Sequence, residues 1–257
     1  MTDQLNKSTL QASLAGLGVE TEARFLEVCD STNTEAKRMV ADGYKGTCLI
    51  VAEEQSGGRG RMGRSFYSPR GSGVYFTLLH RVTADAADAV TLTCAAAVAA
   101  MRGILRATGV QTEIKWVNDL LLDGRKVCGI LSESVTSPDG DRYVIIGTGI
   151  NLRPIDFPSE LREIAGSIGS TEATRADLIA AVTAELMPSL ADPHSRAWHA
   201  DYVSSSCVIG KRIRWGREQD WKFGEAVGID GNGRLLVRAD NGEIATLDSG
   251  EITLRTV

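Results

Sequence analysis

The 257-residue sequence holds five cysteines, Cys29, Cys48, Cys94, Cys128 and Cys207, and no C-x-x-C pair. An odd and scattered set excludes a disulfide framework and a cysteine-built zinc site, and fits free thiols in a reducing compartment. A Walker A spelling, G-x-x-x-x-G-K-[ST], is missing, so any phosphate must be held by another device. The first residues, Met1-Thr2-Asp3-Gln4, lack a basic-then-apolar leader, which predicts a cytoplasmic protein. The most apolar stretch, Ala89 to Met101, is broken by threonines and falls short of the roughly 20 residues a bilayer crossing needs, so no membrane partner is expected. An excess of positive charge is missing too. Twenty-eight Lys and Arg stand against 33 Asp and Glu, a net charge of −5, which argues against broad nucleic-acid binding. No internal repeat and no low-complexity tract is present.

Against these absences one run stands out. Gly57-Gly58-Arg59-Gly60-Arg61-Met62-Gly63-Arg64 puts four glycines and three arginines into eight positions. Glycine lets backbone N–H groups approach a ligand closely, and arginine offers a planar, permanently charged fork for phosphate or carboxylate oxygens. The run predicts a loop that folds over an anionic small molecule. It also spells Gly58-x-Gly60-x-x-Gly63, the dinucleotide fingerprint. That fingerprint needs a helix at its third glycine, and Ser65-Phe66-Tyr67-Ser68-Pro69-Arg70-Gly71 cannot start a long one, so a Rossmann site is rejected.

The rest of the chain reads as a mixture. A weakly specified helix and connector fill residues 1–20. Strand-like runs follow at Ala23 to Val28, Thr47 to Ala52, Val74 to His80, Thr112 to Trp116, Leu120 to Leu122, Lys126 to Ser134 and Arg142 to Asn151. Helices are predicted over Thr34 to Asp42 behind the N-cap types Asp30-Ser31-Thr32-Asn33, over 84–108 with Gly109 as stop, and over Thr174 to Leu190 with Thr174 to Asp177 resembling a capping box. After about Ser206 come five short runs, Lys211 to Trp215, Phe223 to Ile229, Arg234 to Ala239, Glu243 to Asp248 and Glu251 to Val257, parted by the hairpin turns Asp230 to Gly233 and Asp240 to Gly242. They predict a small SH3-like barrel over 206–257, behind a larger α+β domain over 1–205.

Two further constellations carry chemistry. Lys115-Trp116-Val117-Asn118-Asp119 sits at a strand end, where ligand-contacting side chains collect. Lys126 opens the run Lys126-Val127-Cys128-Gly129-Ile130-Leu131-Ser132-Glu133, next to a glycine that leaves space, and can reach a carboxylate or phosphate.

Taken in order, these segments resemble a biotin protein ligase. The matching blocks are Ser31-Thr32-Asn33, Gln55 with Gly58 to Arg64, Lys115-Trp116-x-Asn118-Asp119, Gly124-Arg125-Lys126-x-x-Gly129-Ile130-Leu131, Gly147-x-Gly149-Ile150-Asn151, and Gly250-Glu251-Ile252-x-Leu254-Arg255. The resemblance implies a mixed-sheet core with helices packed on it, of the class II aminoacyl-tRNA synthetase-like, biotin–lipoate ligase type, plus the barrel. It implies that biotin and ATP, with Mg²⁺, give biotinyl-5′-adenylate, and that the acyl group then passes to one lysine of a biotin carboxyl carrier domain of an acyl-CoA carboxylase. It places Ser31, Thr32, Asn33 and Gln55 around the ureido ring, with Gly58, Gly129, Gly147 and Gly149 giving backbone access. Arg59, Gly60 and Arg61 would close over carboxylate and phosphate, and Lys126 would bridge them. Arg64, Lys115, Asn118, Asp119, Asn151, Glu251 and Arg255 would serve the nucleotide. Asp119 would hold the metal and assist deprotonation of the amine, and Tyr202 or Trp198 would stack on adenine. Too few residues precede the core for the helix-turn-helix some relatives carry, so no DNA partner is expected and the form would be a short one, monomer or homodimer. The chain departs from most relatives at Val117, where they carry proline, and at Phe66, where they carry tryptophan, which predicts altered affinity for the adenylate. The nearest alternative is a lipoate or octanoate ligase, which would need a pocket for a linear acyl chain.

Overall fold

Asn6 opens the first helix by accepting from the N–H groups of Ser8 and Thr9, while the Thr9 hydroxyl accepts from the Asn6 N–H, a reciprocal cap. That helix, α1 (Lys7–Gly16), buries Leu10 and Leu14 and leads into the main sheet. The computed structural model describes residues 3–82, 88–217, 220–248 and 252–254. Its strands are β1 (Glu22–Leu26), β2 (Cys48–Ala52), β3 (Gly73–Val82), β4 (Glu113–Lys115), β5 (Asp119–Leu122), β6 (Arg125–Thr136) and β7 (Arg142–Asn151). They lie side by side in the order β1-β2-β3-β7-β6-β5-β4. Only β1 and β2 run parallel, so the sheet is mixed as expected.

Both faces of this sheet are covered, and alternate residues of one strand go to different cores. Cys48 and Ile50 of β2 join Leu79, Tyr143 and Ile145 under α2 (Thr32–Ala41), which supplies Ala36, Met39 and Val40. Leu49 and Val51 face the larger core under α3 (Ala89–Thr108) and α4 (Arg175–Ala191). Helix α3 is longer than the apolar run that announces it. At 20 residues it is long and apolar enough to cross a bilayer, so length does not exclude that role. Burial accounts for its composition instead. At Gly103 a Cβ would lie 2.5 Å from Val182 Cγ2 of α4, so the two helices touch backbone to side chain. The helix stops where expected, at Gly109 with φ 74°. The cap of α4 is one-sided: Thr174 Oγ1 accepts from the Asp177 N–H at 3.1 Å and donates to its Oδ2 at 2.6 Å. Aspartate, one methylene shorter than the usual glutamate, takes the hydroxyl proton in place of the N-cap N–H. A short helix α5 (His199–Ser204), which no sequence signal announced, follows.

The barrel strands β8 (Arg212–Arg217), β9 (Asp220–Ile229), β10 (Leu235–Ala239), β11 (Ile244–Leu247) and β12 (Ile252–Leu254) form an antiparallel sheet in the order β11-β10-β9-β8-β12. Its apolar side, with Ile213, Ala226, Leu235 and Val237, is continuous with the core that holds α3, Trp198 and Tyr202. The turn Asp230 to Gly233 is the clasp. Trp116 Nε1 donates to the Gly233 carbonyl at 2.9 Å, and the Thr91 hydroxyl donates to the Asn232 carbonyl at 3.0 Å. Gly233 has φ 84°, and a Cβ there would lie 2.6 Å from Cys94 Sγ. Gly233→Val is therefore expected to cost about 2–4 kcal/mol, combining backbone strain with overpacking. Gly231→Val, where a Cβ would meet nothing within 4 Å, serves as the near-neutral control in the same turn. Equal melting temperatures for the two variants would contradict the clasp.

Candidate active site

The Gly/Arg run joins β2 to β3 as a hairpin and starts no long helix, so the rejection of a dinucleotide fingerprint stands. Phe66 N–H donates to the Gly58 carbonyl at 2.9 Å, and Gly60 N–H donates to the Arg64 carbonyl at 2.7 Å. Its tip, Arg61 to Gly63, is one 3-10 turn in which Met62 and Gly63 take φ 56° and 76°. Gly58 sits at the neck of the hairpin, against the Phe66 carbonyl and Ser68 Oγ, where no Cβ fits. Its part is to bring the two arms together.

Lys126 reaches the same place by a different device. Along an unbroken strand it would share a face with Cys128 and Ile130, both of which lie in the core. Between β5 and β6 the register shifts, so that Leu120 pairs with Cys128 and Leu121 with Lys126. This bulge turns Lys126 to the opposite face, beside Gly129, where a Cβ would lie 2.9 Å from its Cε and Nζ. Lys126 backbone groups are pinned by the Ile164 carbonyl and the Gly166 N–H, each at 2.9 Å. Its ammonium lies 2.7 Å from Asp119 Oδ1.

Hairpin and sheet enclose two clefts. The inner one is lined by Ser31, Thr32, Asn33, Gln55 and Arg59, with Gly129, Gly147 and Gly149 along its floor. The outer one is lined by Met62, Arg64, Ser65, Lys115, Trp116 and Asp119. Gly60, Arg61, Phe66, Asn118 and Lys126 belong to both. The two cations Arg61 and Lys126 thus stand where the clefts meet. Arg61 Nη1 donates to Asn118 Oδ1 at 3.3 Å, and Asn118 Nδ2 donates to the Ile130 carbonyl at 2.9 Å. The Trp116–Val117 peptide bond leading into Asn118 is cis.

The inner wall is one hydrogen-bonded chain. Ser31 occupies the N-cap position of α2 without capping it. The Thr32 N–H donates to Gln55 Oε1 at 2.9 Å, with the Thr32 hydroxyl 3.2 Å from the same oxygen, and Gln55 Nε2 donates to Ser68 Oγ at 2.9 Å. Thr77, fully buried on β3, contacts Thr32 Oγ1 at 2.8 Å and Asn33 Oδ1 at 2.6 Å. Asn33 Nδ2 donates to Glu133 Oε2 at 2.9 Å, and Lys37 Nζ lies 2.7 Å from Glu133 Oε1. Burial raises the Glu133 pKa, but the Lys37 and Asn33 hydrogen bonds outweigh it and hold the carboxylate below its ordinary range.

Residues 25–151 match the model of the biotin/lipoate A/B protein ligase family, and residues 208–255 match that of the biotin protein ligase C-terminal domain. The chain is 34% identical to the bifunctional ligase/repressor BirA of Bacillus subtilis over 262 residues, which is 95% of this chain and 79% of that protein. This chain belongs to the biotin protein ligase family. It is 28% identical to the biotin–[acetyl-CoA-carboxylase] ligase of Mycobacterium tuberculosis, over 96% of this chain and 95% of that one. The Aquifex aeolicus biotin protein ligase, solved in complex with biotin and ATP, shares the fold with a TM-score of 0.77 at 24% identity, covering 93% of this chain and all of that one.

For this ligase fold, most residues singled out from the sequence come together at the two clefts, but several do not. Asn151 lines neither cleft. It is buried and donates to the Gly166 carbonyl at 2.9 Å, so it steadies the segment that pins Lys126. Tyr202 is fully buried and donates to the Val117 carbonyl at 3.0 Å, and Trp198 packs edge-on against it at 5.9 Å. Both are core residues with no face free for adenine. The space at Gly147 and Gly149 is taken by the chain itself, by the Asn33 amide and by the Phe66 ring respectively. Glu251 and Arg255 lie outside the described residues. Thr77, Ser68 and Glu133 were missed as participants. The one available signal was Thr77, a lone polar residue in the run Val74-Tyr75-Phe76-Thr77-Leu78-Leu79.

Proposed function

We infer that this chain is a biotin protein ligase, which activates biotin with ATP and passes it to a lysine of a carrier protein. The observation that carries the reading is the meeting of two clefts at Arg61 and Lys126. In the first step a biotin carboxylate oxygen attacks the α-phosphorus, the bond to the β-phosphate oxygen breaks, and pyrophosphate leaves. Two anions must approach, so positioned cations and donors at their junction lower the barrier by stabilising charge as it shifts. Biotin occupies the inner cleft, its ureido ring against Thr32, Asn33 and Gln55, beside Ser31 and Arg59. The nucleotide occupies the outer one, with Arg64, Lys115, Asn118 and Asp119 around it. In the second step the carrier amine attacks the acyl carbon, AMP leaves, and the amine loses its proton to Asp119. The Phe66 ring roofs the junction and excludes water from the mixed anhydride.

Asp119 would hold the Mg²⁺ that accompanies the nucleotide, an ion that would neutralise phosphate charge. Asp119 is the acid of the outer cleft among the described residues, and one carboxylate plus phosphates and waters is a set that suits this ion. No cluster of three metal-ligating side chains occurs among the described residues, so the phosphates would supply most of its ligands.

The protein acceptor is the biotin carrier domain of an acyl-CoA carboxylase on this reading, supported by the names of the Paracoccus denitrificans and Mycobacterium tuberculosis relatives, biotin–[acetyl-CoA-carboxylase] ligases. The net charge of −5 supports an enzyme that acts without DNA. Free thiols at Cys29, Cys48, Cys94, Cys128 and Cys207 suit the cytoplasm. The polar wall of the inner cleft favours a ureido ring over the linear chain of lipoate or octanoate. Pyrophosphate release with biotin and with lipoate separates the two. Biotin-dependent release is expected, and release with lipoate alone would reverse the assignment.

A further inference from the structure

Asn33 is a residue whose amide has no choice of orientation. Its nitrogen lies 2.9 Å from Glu133 Oε2 and 3.2 Å from the Leu131 carbonyl. A carboxylate and a carbonyl only accept, so the NH₂ group must face them, and both its protons are used there. The amide oxygen must then point the other way. There it meets Thr77 Oγ1 at 2.6 Å, over Gly147, which leaves room by having no side chain. Thr77 has a single hydroxyl proton. Given to Asn33 Oδ1, the shorter of its two contacts, it leaves Thr77 Oγ1 to accept from the Thr32 hydroxyl at 2.8 Å. The sense of the whole wall therefore propagates from Glu133, and Lys37 at 2.7 Å keeps that carboxylate charged and in place.

We propose that Glu133, held by Lys37, is a positioning residue that fixes the Asn33 amide with its oxygen toward the inner cleft, and so makes that cleft select a substrate head bearing N–H donors. The proposal rests on the biotin reading given above. It predicts that neutralising Glu133 loosens recognition of the ureido ring without touching the phosphate side. A glutamine at this position can donate to Asn33 Oδ1, which permits the flipped amide and puts a donor where an acceptor is needed.

The test uses the full chain and pyrophosphate release, with biotin and ATP varied separately. Glu133→Gln is expected to raise the biotin KM about tenfold or more, with kcat and the ATP KM changed less than about threefold. Its preference for biotin over an analogue with the ureido N–H groups replaced by oxygen should fall by a similar factor. Glu133→Asp keeps an acceptor-only carboxylate at this position, and is expected to raise the biotin KM less than Glu133→Gln does. An unchanged biotin KM in Glu133→Gln overturns the proposal, and so do parallel losses in kcat and both KM values or a Glu133→Asp variant as impaired as Glu133→Gln. A parent chain that releases no pyrophosphate with biotin would defeat the underlying reading instead.

Discussion

Lys126→Ala is expected to slow biotin-dependent pyrophosphate release by about 10²–10³-fold, the range found when one preorganised donor is removed from a site of developing charge. By transition-state arithmetic that is roughly 3–4 kcal/mol. The size follows from position. Lys126 and Arg61 are the cations shared by both clefts among the described residues, so each faces the point where carboxylate and α-phosphate meet. Removing one leaves two anions opposed by half the charge, and leaves Asp119, 2.7 Å from the ammonium in the parent, without its partner and repelling the nucleotide. Lys126→Arg is expected to rescue poorly, because the space beside Gly129 is filled at 2.9 Å by a thin alkyl stem and cannot take a planar fork. Single-turnover release, measured beside circular dichroism to confirm folding, checks the prediction. A folded alanine variant within tenfold of the parent contradicts the role.

The second large effect concerns stability. Arg175 and Glu53 are both almost fully buried, and Arg175 Nη1 donates to Glu53 Oε1 at 2.7 Å. Arg175 also holds Asp3 through Nε at 3.0 Å, and Arg153 binds the same Asp3 oxygen at 2.7 Å. This network ties the start of the chain to α4 and, through Gly71 N–H on Glu53 Oε1, to the base of the hairpin. Arg175→Met strands the Glu53 charge in the interior, and breaking one side of a buried pair costs about 3–5 kcal/mol. For a chain of this size the melting temperature should fall by about 6–20 °C. Arg175→Met combined with Glu53→Leu is expected to be more stable than Arg175→Met alone, because the stranded charge is gone. A single variant within about 2 °C of the parent would contradict the account.

The same network carries a pH dependence. Burial raises the Asp3 pKa, but hydrogen bonds and charges from Arg153 and Arg175 outweigh it and hold the carboxyl below its ordinary value. A group depressed on folding stabilises fully above its unfolded pKa, about 3.9 for aspartate, and that contribution is lost as pH falls through the lower folded value. Urea midpoints should therefore be flat in this respect near neutrality and fall below about pH 4, with a shallower fall in Asp3→Asn.

Much of this was legible in local sequence. Gly109, the turns at 230–233 and 240–242, and the hydrophobic runs of β2, β3 and β7 announce themselves because the physics is local: a left-handed stop, a hairpin, a strand buried on both faces. The Gly/Arg run was legible as an anion-binding loop for the same reason. What was not legible depends on partners far along the chain. Lys126 faces the clefts through a bulge that no residue type in β6 specifies. Asn33 meets Glu133 a hundred positions later, and Arg175 meets Glu53 across 122. Tyr202 and Asn151 looked like ligand contacts because residue chemistry alone cannot tell a buried hydrogen bond from a binding one. The glycines at 147 and 149 were read as room for a ligand, and the structure gives that room to Asn33 and Phe66.

The central claim is that one carboxylate and one phosphate are joined where the two clefts meet. A crystal structure of the chain with a non-hydrolysable biotinyl-adenylate analogue tests it most directly. The account expects the ureido ring beside Thr32, Asn33 and Gln55, the adenosine in the outer cleft, and the acyl–phosphate link within hydrogen-bonding distance of both Arg61 and Lys126. An analogue bound with that link away from Lys126, or with its two ends in the opposite clefts, would contradict it.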